Sequence, residues 1–560
     1  MFYITDYVVF FGMLLISVFI GIYFGFCGKS QTQDEYLLGG KKMSITPIAL
    51  SLIAGHVSGI TLLALPSDVY LYGANYLWMA VALLFISLLT CYVYLPVISK
   101  LQNASVFDYL DQRFNRTIRM LASFLFALQL LLYNPVVAYI PAIAFSQASG
   151  ISVQLITPIV CLVCTFYTTI GGFKAVVWSD AFQFIAMIGS ITAIFCLGIR
   201  SIGGFGNMFT KAIDGHRFDF DFSLDPTIRE GFFPILLGGT VHWLYNVALQ
   251  PPSVQKYISV STLPKARRVS IILTIGLVLL KVFNVLVGII MYVRYEKCDP
   301  LWTGEVTRAD QILPYFVMDV ARHVPGLPGL FIAGIFSAAL STLSTMFNTL
   351  SATIYNDFIS GFLPVNVSER KTNYILKLIV IISGVVCTML TFFIEKMGSL
   401  FHFVNASQGL IAGLFVGLFS LGMIYPIANV KGAISGVLAS FFGVGTIVVM
   451  NQMYKLRGVI NTFPKPTSIE DCYGANNITL AKNVAFEDQP FILFRLSHWY
   501  NAFMSVTVVT IIGLVVSWIT MDDKVHINPD LISPVSMVLL KRNNAPNETT
   551  ESNEMTTSHL

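Results

Sequence analysis

The stretch Ser51-Leu-Ile-Ala-Gly-His-Val-Ser-Gly-Ile-Thr61 decides how this chain folds. It belongs to an apolar segment suited to a membrane crossing, yet it sets Gly55, Ser58 and Gly59 where a bilayer is deepest, with Pro66 further on. Unwound backbone at that depth leaves N–H and C=O groups unpaired, and a membrane tolerates this only where they face protein, water or a bound ion. A later stretch containing Pro234, Gly238, Gly239 and Thr240 has the same character and is expected to play the same part. Glycine-interrupted spans at matching places in two halves of a chain point to a transporter's binding site. Either span alone is equally well explained by helices packing closely through small residues; the matched pair favours a carrier of small solutes.

The surrounding sequence supports a membrane setting. Of 560 residues, 55% are hydrophobic and 11% charged, against about 25% charged in an ordinary soluble domain. Apolar runs such as Val8 to Phe26, Leu77 to Val97, Leu155 to Ile170, Val269 to Val293 and Tyr374 to Ile394 recur, and about thirteen are long enough, or nearly so, to cross a bilayer. The net charge of +4 is small, and no Lys/Arg-rich run with interleaved aromatics appears, so nucleic-acid binding has no support. Short segments carrying Lys41, Lys42, Arg113, Arg116, Arg119, Lys256, Lys265, Arg267, Arg268, Arg370 and Lys371 alternate with segments that carry no Lys or Arg. The basic set is assigned to the cytoplasm, which places the N-terminus outside and the C-terminus inside. Residues 1–30 are read as an extracellular start and a retained first span, because no small-residue cleavage site follows the run.

The rest divides into a first five-helix unit over 44–199, an outer segment over 200–230, a second five-helix unit over 231–425, and two added spans over 426–520 with an outer loop at 451–497. A polar tail, 521–560, is expected to be disordered. Two sets of five offset by an odd number of crossings have opposite topology, the arrangement of an inverted repeat. Cys298 and Cys472 fall in outer loops, where they are either a disulfide or two unpaired thiols. Asn477, in Asn-Ile-Thr, is the well-placed glycosylation sequon in the same loop. The closing Ser558-His559-Leu560 fits the C-terminal pattern that PDZ-type domains capture.

Several polar groups lie inside apolar spans. Ser337, Ser341 and Ser344 share one helix face, with Thr342 and Thr345 adjacent. Such hydroxyls either help replace the water shell of sodium or bond to the preceding turn and neighbouring helices. Asp180 begins a long apolar run and is either a solvated helix-start carboxylate or a station for an inward-moving cation. Lys281 sits near the middle of a span, where a charge costs at least about 2.5–3.5 kcal/mol; it could pair with Asp180 or attract an anionic substrate. His56 and His242 lie at or just beyond the breaks, able to donate to a substrate or to satisfy a carbonyl. No Ser/His/Asp order, CxxC pair or phosphate-binding glycine loop occurs in a plausible context, so no enzymatic reading is supported.

Longer motifs carry a resemblance. Pro66-Ser-Asp-Val-Tyr70, Gly171-Gly-Phe-Lys-Ala-Val-Val-Trp-Ser-Asp-Ala-Phe-Gln183, Leu340-Ser-Thr-Leu-Ser-Thr345 and Leu421-Gly-Met-Ile-Tyr-Pro-Ile-Ala-Asn-Val-Lys-Gly-Ala433 resemble the sodium:solute symporter family. Val254-Gln-Lys-Tyr257 and Tyr295-Glu-Lys-Cys-Asp-Pro300 are similar to its branch of monocarboxylate, multivitamin and iodide carriers. The resemblance implies an all-α polytopic membrane protein with ten core helices in two inverted five-helix repeats, a LeuT-like core, working by alternating access in the plasma membrane. It implies a sodium site from the carbonyls of Ala54, Val57 and Ala338 and the hydroxyls of Ser341 and Thr342, with Asp180 on the exit route. Substrate contacts would come from His56, Ser58, Thr61, Trp243, Phe401 and Asn405, Phe401 acting as a gate. The chain departs from the branch at His56, Leu249 and Lys281; His56 and Lys281 would both suit a carboxylate. The expected function is sodium-coupled import of a small organic anion, a monocarboxylate above all. The alternatives are another small solute, or a sensor or ion-conducting protein that keeps the fold without concentrating substrate.

Overall fold

The first helix, α1 (Ile4–Phe26), is fixed at its start by Asp6, whose carboxylate accepts the N–H groups of Tyr3 (2.8 Å) and Gly329 (3.1 Å). The structure is a computed structural model that describes residues 2–27, 32–101, 105–364, 367–396, 398–460, 464–470, 472, 490–521 and 528–537, except the side chains of 394–403 and 405. Every regular element among the described residues is helical. Phe401 and Asn405 (as side chains), Asn477 and Ser558-His559-Leu560 lie outside the described residues.

The expected first break is present. α2 (Ile45–His56) and α3 (Gly59–Tyr72) are separated by Val57 and Ser58, both extended. The Ser58 hydroxyl caps α3 by accepting the Thr61 N–H at 3.3 Å. There follow α4 (Trp78–Leu89), α5 (Arg116–Ser149), capped by the Asn115 side chain, and α6 (Val153–Ser201). The 49 residues of α6 would make a straight rod about 74 Å long, more than twice a bilayer's hydrocarbon thickness. Gly172 divides it with φ 58° and ψ −153°, and a Cβ there would lie 2.7 Å from the Tyr36 ring.

The second interruption lies elsewhere than expected. Pro234, Gly238, Gly239 and Thr240 do not unwind: a wide turn over Pro234–Gly239 runs into α7 (Thr240–Leu244) and a second wide turn over Tyr245–Leu249. The chain breaks at Gln250, which is extended, before α8 (Pro251–Ile258). Proline has no N–H, so Pro251 and Pro252 cannot continue the ladder from the preceding carbonyls. Gly238 serves close approach instead, since a Cβ there would lie 2.0 Å from the Trp499 carbonyl oxygen.

Beside short helices at Gln33–Leu38, Leu95–Ile98, Asp108–Arg113 and Phe205–Asp214, the chain continues with α9 (Leu263–Tyr295), α10 (Ile312–Ala321), α11 (Leu327–Thr353), α12 (Glu369–Lys396), α13 (Gly398–Ile424), α14 (Val430–Leu456) and α15 (Tyr500–Ile519). α11 is buried almost throughout, its hydroxyls included, which makes it a central helix against which others pack. By length and composition, 10 helices among the described residues can cross a membrane, or up to 11 if a bent pair is one span. The larger number read from the sequence counts α2 with α3 and the 234–258 segment as broken spans, and α6 as two.

Small residues seat the added spans. A Cβ on Gly413 would lie 2.3 Å from the Ala502 carbonyl of α15, and one on Gly436 would lie 2.5 Å from that of Val509, the close packing by which membrane helices associate. On the side assigned outside, Cys298 and Cys472 form a disulfide, and the Arg217 guanidinium donates to the carbonyls of Leu71 and Pro466. The tail differs from expectation over 528–537. Leu531 and Ser533 are buried, the Ser533 N–H donates to Met423 at 2.8 Å, and the Tyr109 hydroxyl donates to Leu531 at 3.1 Å. The apolar pair Leu531-Ile532 inside a polar tail anchors this segment.

Candidate functional site, a solute cavity beside a cation cradle

The site follows from what the two breaks leave unpaired. At the second, the Gln250 N–H returns to Tyr245 (2.7 Å) and Pro251 offers no donor, so the Asn246 carbonyl lacks a helical partner. The Ser253 hydroxyl donates to it at 2.7 Å, and Nε2 of His56 lies 2.9 Å from it. Nδ1 of His56 lies 2.7 Å from the Leu52 carbonyl. His56 thus lies between main-chain oxygens of both interrupted helices, and its neutral ring, with one N–H, donates to one of them.

At the first break, the Val57 N–H reaches only the Ala54 carbonyl, at 3.2 Å. The Thr342 hydroxyl donates to Ala338 at 3.0 Å and lies 3.3 Å from the Gly55 carbonyl. The structure thus brings Thr342 and Ala338 of α11 to the broken end of α2, where the Gly55 carbonyl lies within reach of the Thr342 hydroxyl. The Ser341 hydroxyl and Oδ1 of Asp180 are fully buried, stand close to each other, and have no hydrogen-bond partner at ordinary distance among the described residues. Buried oxygens left without donors fit a cation whose water shell must be replaced. The residues expected to hold sodium, Ala54, Val57, Ala338, Ser341 and Thr342, lie at the first break and on the stretch of α11 that faces it.

Asp180 is not a solvated helix-start carboxylate. Its Oδ2 accepts from the Ser51 hydroxyl (2.6 Å), the Thr345 hydroxyl (3.2 Å) and the Lys256 ammonium (3.2 Å). Lys256, read from sequence as a cytoplasmic loop charge, is 1% exposed and also donates to the Ser51 carbonyl at 3.0 Å. The pairing considered for Lys281 with Asp180 does not form. Lys281 donates to the Tyr76 hydroxyl at 2.9 Å and lies 3.8 Å from the centre of the Trp243 ring, a cation–π contact.

A cavity of about 300 Å³ opens beside these groups. Of the expected substrate contacts, His56, Ser58, Thr61 and Trp243 line it, whereas Lys281 stands behind Trp243. Sequence reasoning missed Gln129, Gln408, His498 and Trp499 in the lining. Gln129 donates to Gln408 at 2.6 Å and accepts from Tyr245 at 3.3 Å. Two polar amides in apolar spans were the available signal. His498 and Trp499, by contrast, immediately precede the added helix α15, outside the repeats, and nothing local marks them.

A multi-span helical bundle whose two interrupted helices meet at a polar cavity and a cation cradle is built as a secondary transporter. The sequence profile described as the Sodium:solute symporter family matches residues 36–440, and the chain belongs to that family. As a member it moves a solute together with sodium. Human sodium-coupled monocarboxylate transporter 2 is 35% identical over 95% of this chain and 87% of its own length. Human sodium-coupled monocarboxylate transporter 1 is 34% identical over 95% and 90%, and the human sodium/iodide cotransporter 34% over 77% and 68%. The solved substrate-bound, outward-open state of a Na+-coupled sialic acid symporter shares the fold, with a TM-score of 0.75 at 22% identity over 93% of this chain and 98% of that one.

Proposed function

We propose that the protein imports a small organic monocarboxylate with sodium across the plasma membrane by alternating access, with its N-terminus outside and its C-terminus inside. One observation carries the choice of an anion. The cavity is lined by hydroxyls, amides and imidazoles, holds no Asp or Glu among the described residues of its lining, and is backed by the Lys281 ammonium. Lys281 makes no ion pair among the described residues, so its positive field reaches the cavity through the Trp243 ring. A carboxylate needs donors and positive potential in a dry site. The names of the monocarboxylate-transporting relatives agree with that chemistry. Sodium at the first break would hold α2, α3 and α11 together while the solute binds, and its loss inward would loosen them.

The test is uptake of labelled short-chain monocarboxylates, iodide, vitamins and a neutral sugar into cells expressing the chain, in sodium and in choline medium. Sodium-dependent uptake of the carboxylates is expected. Carboxylate uptake unchanged on sodium replacement would overturn the reading, and preferential uptake of iodide or sugar would reassign the solute.

A further inference from the structure

A second positive charge lies closer to the cation cradle than Lys281. The Lys256 ammonium is enclosed by three oxygens, those of the Ser51 carbonyl, the Asp180 carboxylate and the Thr345 hydroxyl, at 3.0, 3.2 and 3.1 Å. A Cβ added at Gly55 would lie 3.2 Å from its Nζ, and the Gly55 carbonyl meets Thr342 of the cradle. The ammonium therefore sits against the unwound segment itself. It takes the place that a cation passing from the cradle to Asp180 would occupy, and holds it with the same ligand chemistry: a carbonyl, a hydroxyl and a carboxylate oxygen.

Asp180 and Lys256 together are neutral. Were Lys256 absent, the cradle would adjoin an unpaired buried carboxylate, a strong trap for sodium. Were Asp180 neutralised instead, the cradle would adjoin an unpaired ammonium that repels it. Resting on the sodium-coupled reading above, we propose that Lys256 is a tethered competitor for Asp180, a resident cation that keeps the carboxylate from retaining sodium and so sets how readily the ion leaves inward. Sodium passing Asp180 must displace the ammonium, and the ammonium's return expels the ion. The residue acts through Asp180 and touches no solute; it is a positioning residue for ion release.

The experiment measures sodium affinity in two ways, by the sodium dependence of solute uptake and by sodium-dependent thermal shift of the full-length carrier in detergent. Lys256→Met should lower the half-saturating sodium concentration at least about tenfold, a small part of the roughly thousandfold that unit charges about 4 Å apart would give at an effective dielectric near 20, and make internal sodium inhibitory. Lys256→Arg should remain near the parent. Asp180→Asn should raise the half-saturating concentration by about tenfold or more, and adding Lys256→Met to it should restore sodium affinity to within about threefold of the parent. Should Lys256→Met alone fail to fold, the Asp180→Asn and double-variant comparison decides. The proposal is overturned if sodium affinity in Lys256→Met is unchanged or weaker, or if the double variant binds sodium no better than Asp180→Asn. If parent uptake shows no sodium dependence, it is the transport reading that fails, and the thermal-shift titration still reports on Lys256.

Discussion

Nε2 of His56 lies 2.9 Å from the carbonyl oxygen of Asn246, so the last residue of one interrupted helix closes the exposed main chain of the other. Removing the imidazole should leave Ser253 as the remaining partner of that carbonyl and free the two breaks to separate. His56→Ala is expected to cut uptake at least about tenfold, in line with a buried polar group losing a partner, a cost of roughly 1–3 kcal/mol. His56→Gln, which retains a donor, should keep more activity. Equal activity of the two variants would show that the bridge is dispensable.

Loss of the cradle hydroxyls should appear in the sodium dependence. Ser341→Ala combined with Thr342→Ala is expected to raise the sodium concentration giving half-maximal flux severalfold, with surface abundance retained. A sodium curve superimposable on the parent's would transfer the coupling ion to another site.

The field of Lys281 should be felt by the solute and not by sodium. In Lys281→Met the KM for a monocarboxylate is expected to rise severalfold while the half-saturating sodium concentration stays within about twofold, since the ammonium faces Trp243 and Tyr76 and makes no contact with the residues expected to hold sodium. A parallel shift of both constants would mark general disruption.

Gly238 is held to hydrogen by the Trp499 carbonyl, 2.0 Å from where a Cβ would stand. Gly238→Ala should push the start of α15 outward at a cost of about 1–3 kcal/mol, typical of overpacking. The measured outcome would be a lower melting temperature together with a raised solute KM.

Cys298 and Cys472 are 174 residues apart, and closing a loop of that length should stabilise the protein by about 2–5 kcal/mol. Peptide mapping without reductant should recover the linked pair, and Cys298→Ser with Cys472→Ser should lower thermal stability. Recovery of both peptides unlinked would remove the tie from the outer loop.

The legible part of the site was the part written in local backbone chemistry. Gly55, Ser58 and Gly59 within an apolar run suit an interruption and close helix packing equally, and only their match with a second such stretch favours the break that falls at Val57 and Ser58. The second break was misplaced because Gly238 and Gly239 look like the same signal, whereas they admit Trp499 and Met79; the missing N–H groups of Pro251 and Pro252 do the interrupting. Lys256 went unread because a lysine near the end of an apolar segment resembles a solvated charge. Its burial depends on Asp180, 76 residues earlier, a long-range pairing that no periodicity reports. The lining by His498 and Trp499 was hidden for the same reason.

Those last two residues separate the labour of the molecule. The residues assigned to the ion come from α2, α6, α8 and α11, within the two repeats, whereas one wall of the cavity is supplied by the residues around the start of α15, a helix appended after them. Descendants of one ancestral carrier could therefore diversify their cargo by exchanging the entry to a terminal helix while inheriting the ion-driven engine unaltered. Chimaeras that swap residues 498–502 between relatives would carry that history into the laboratory.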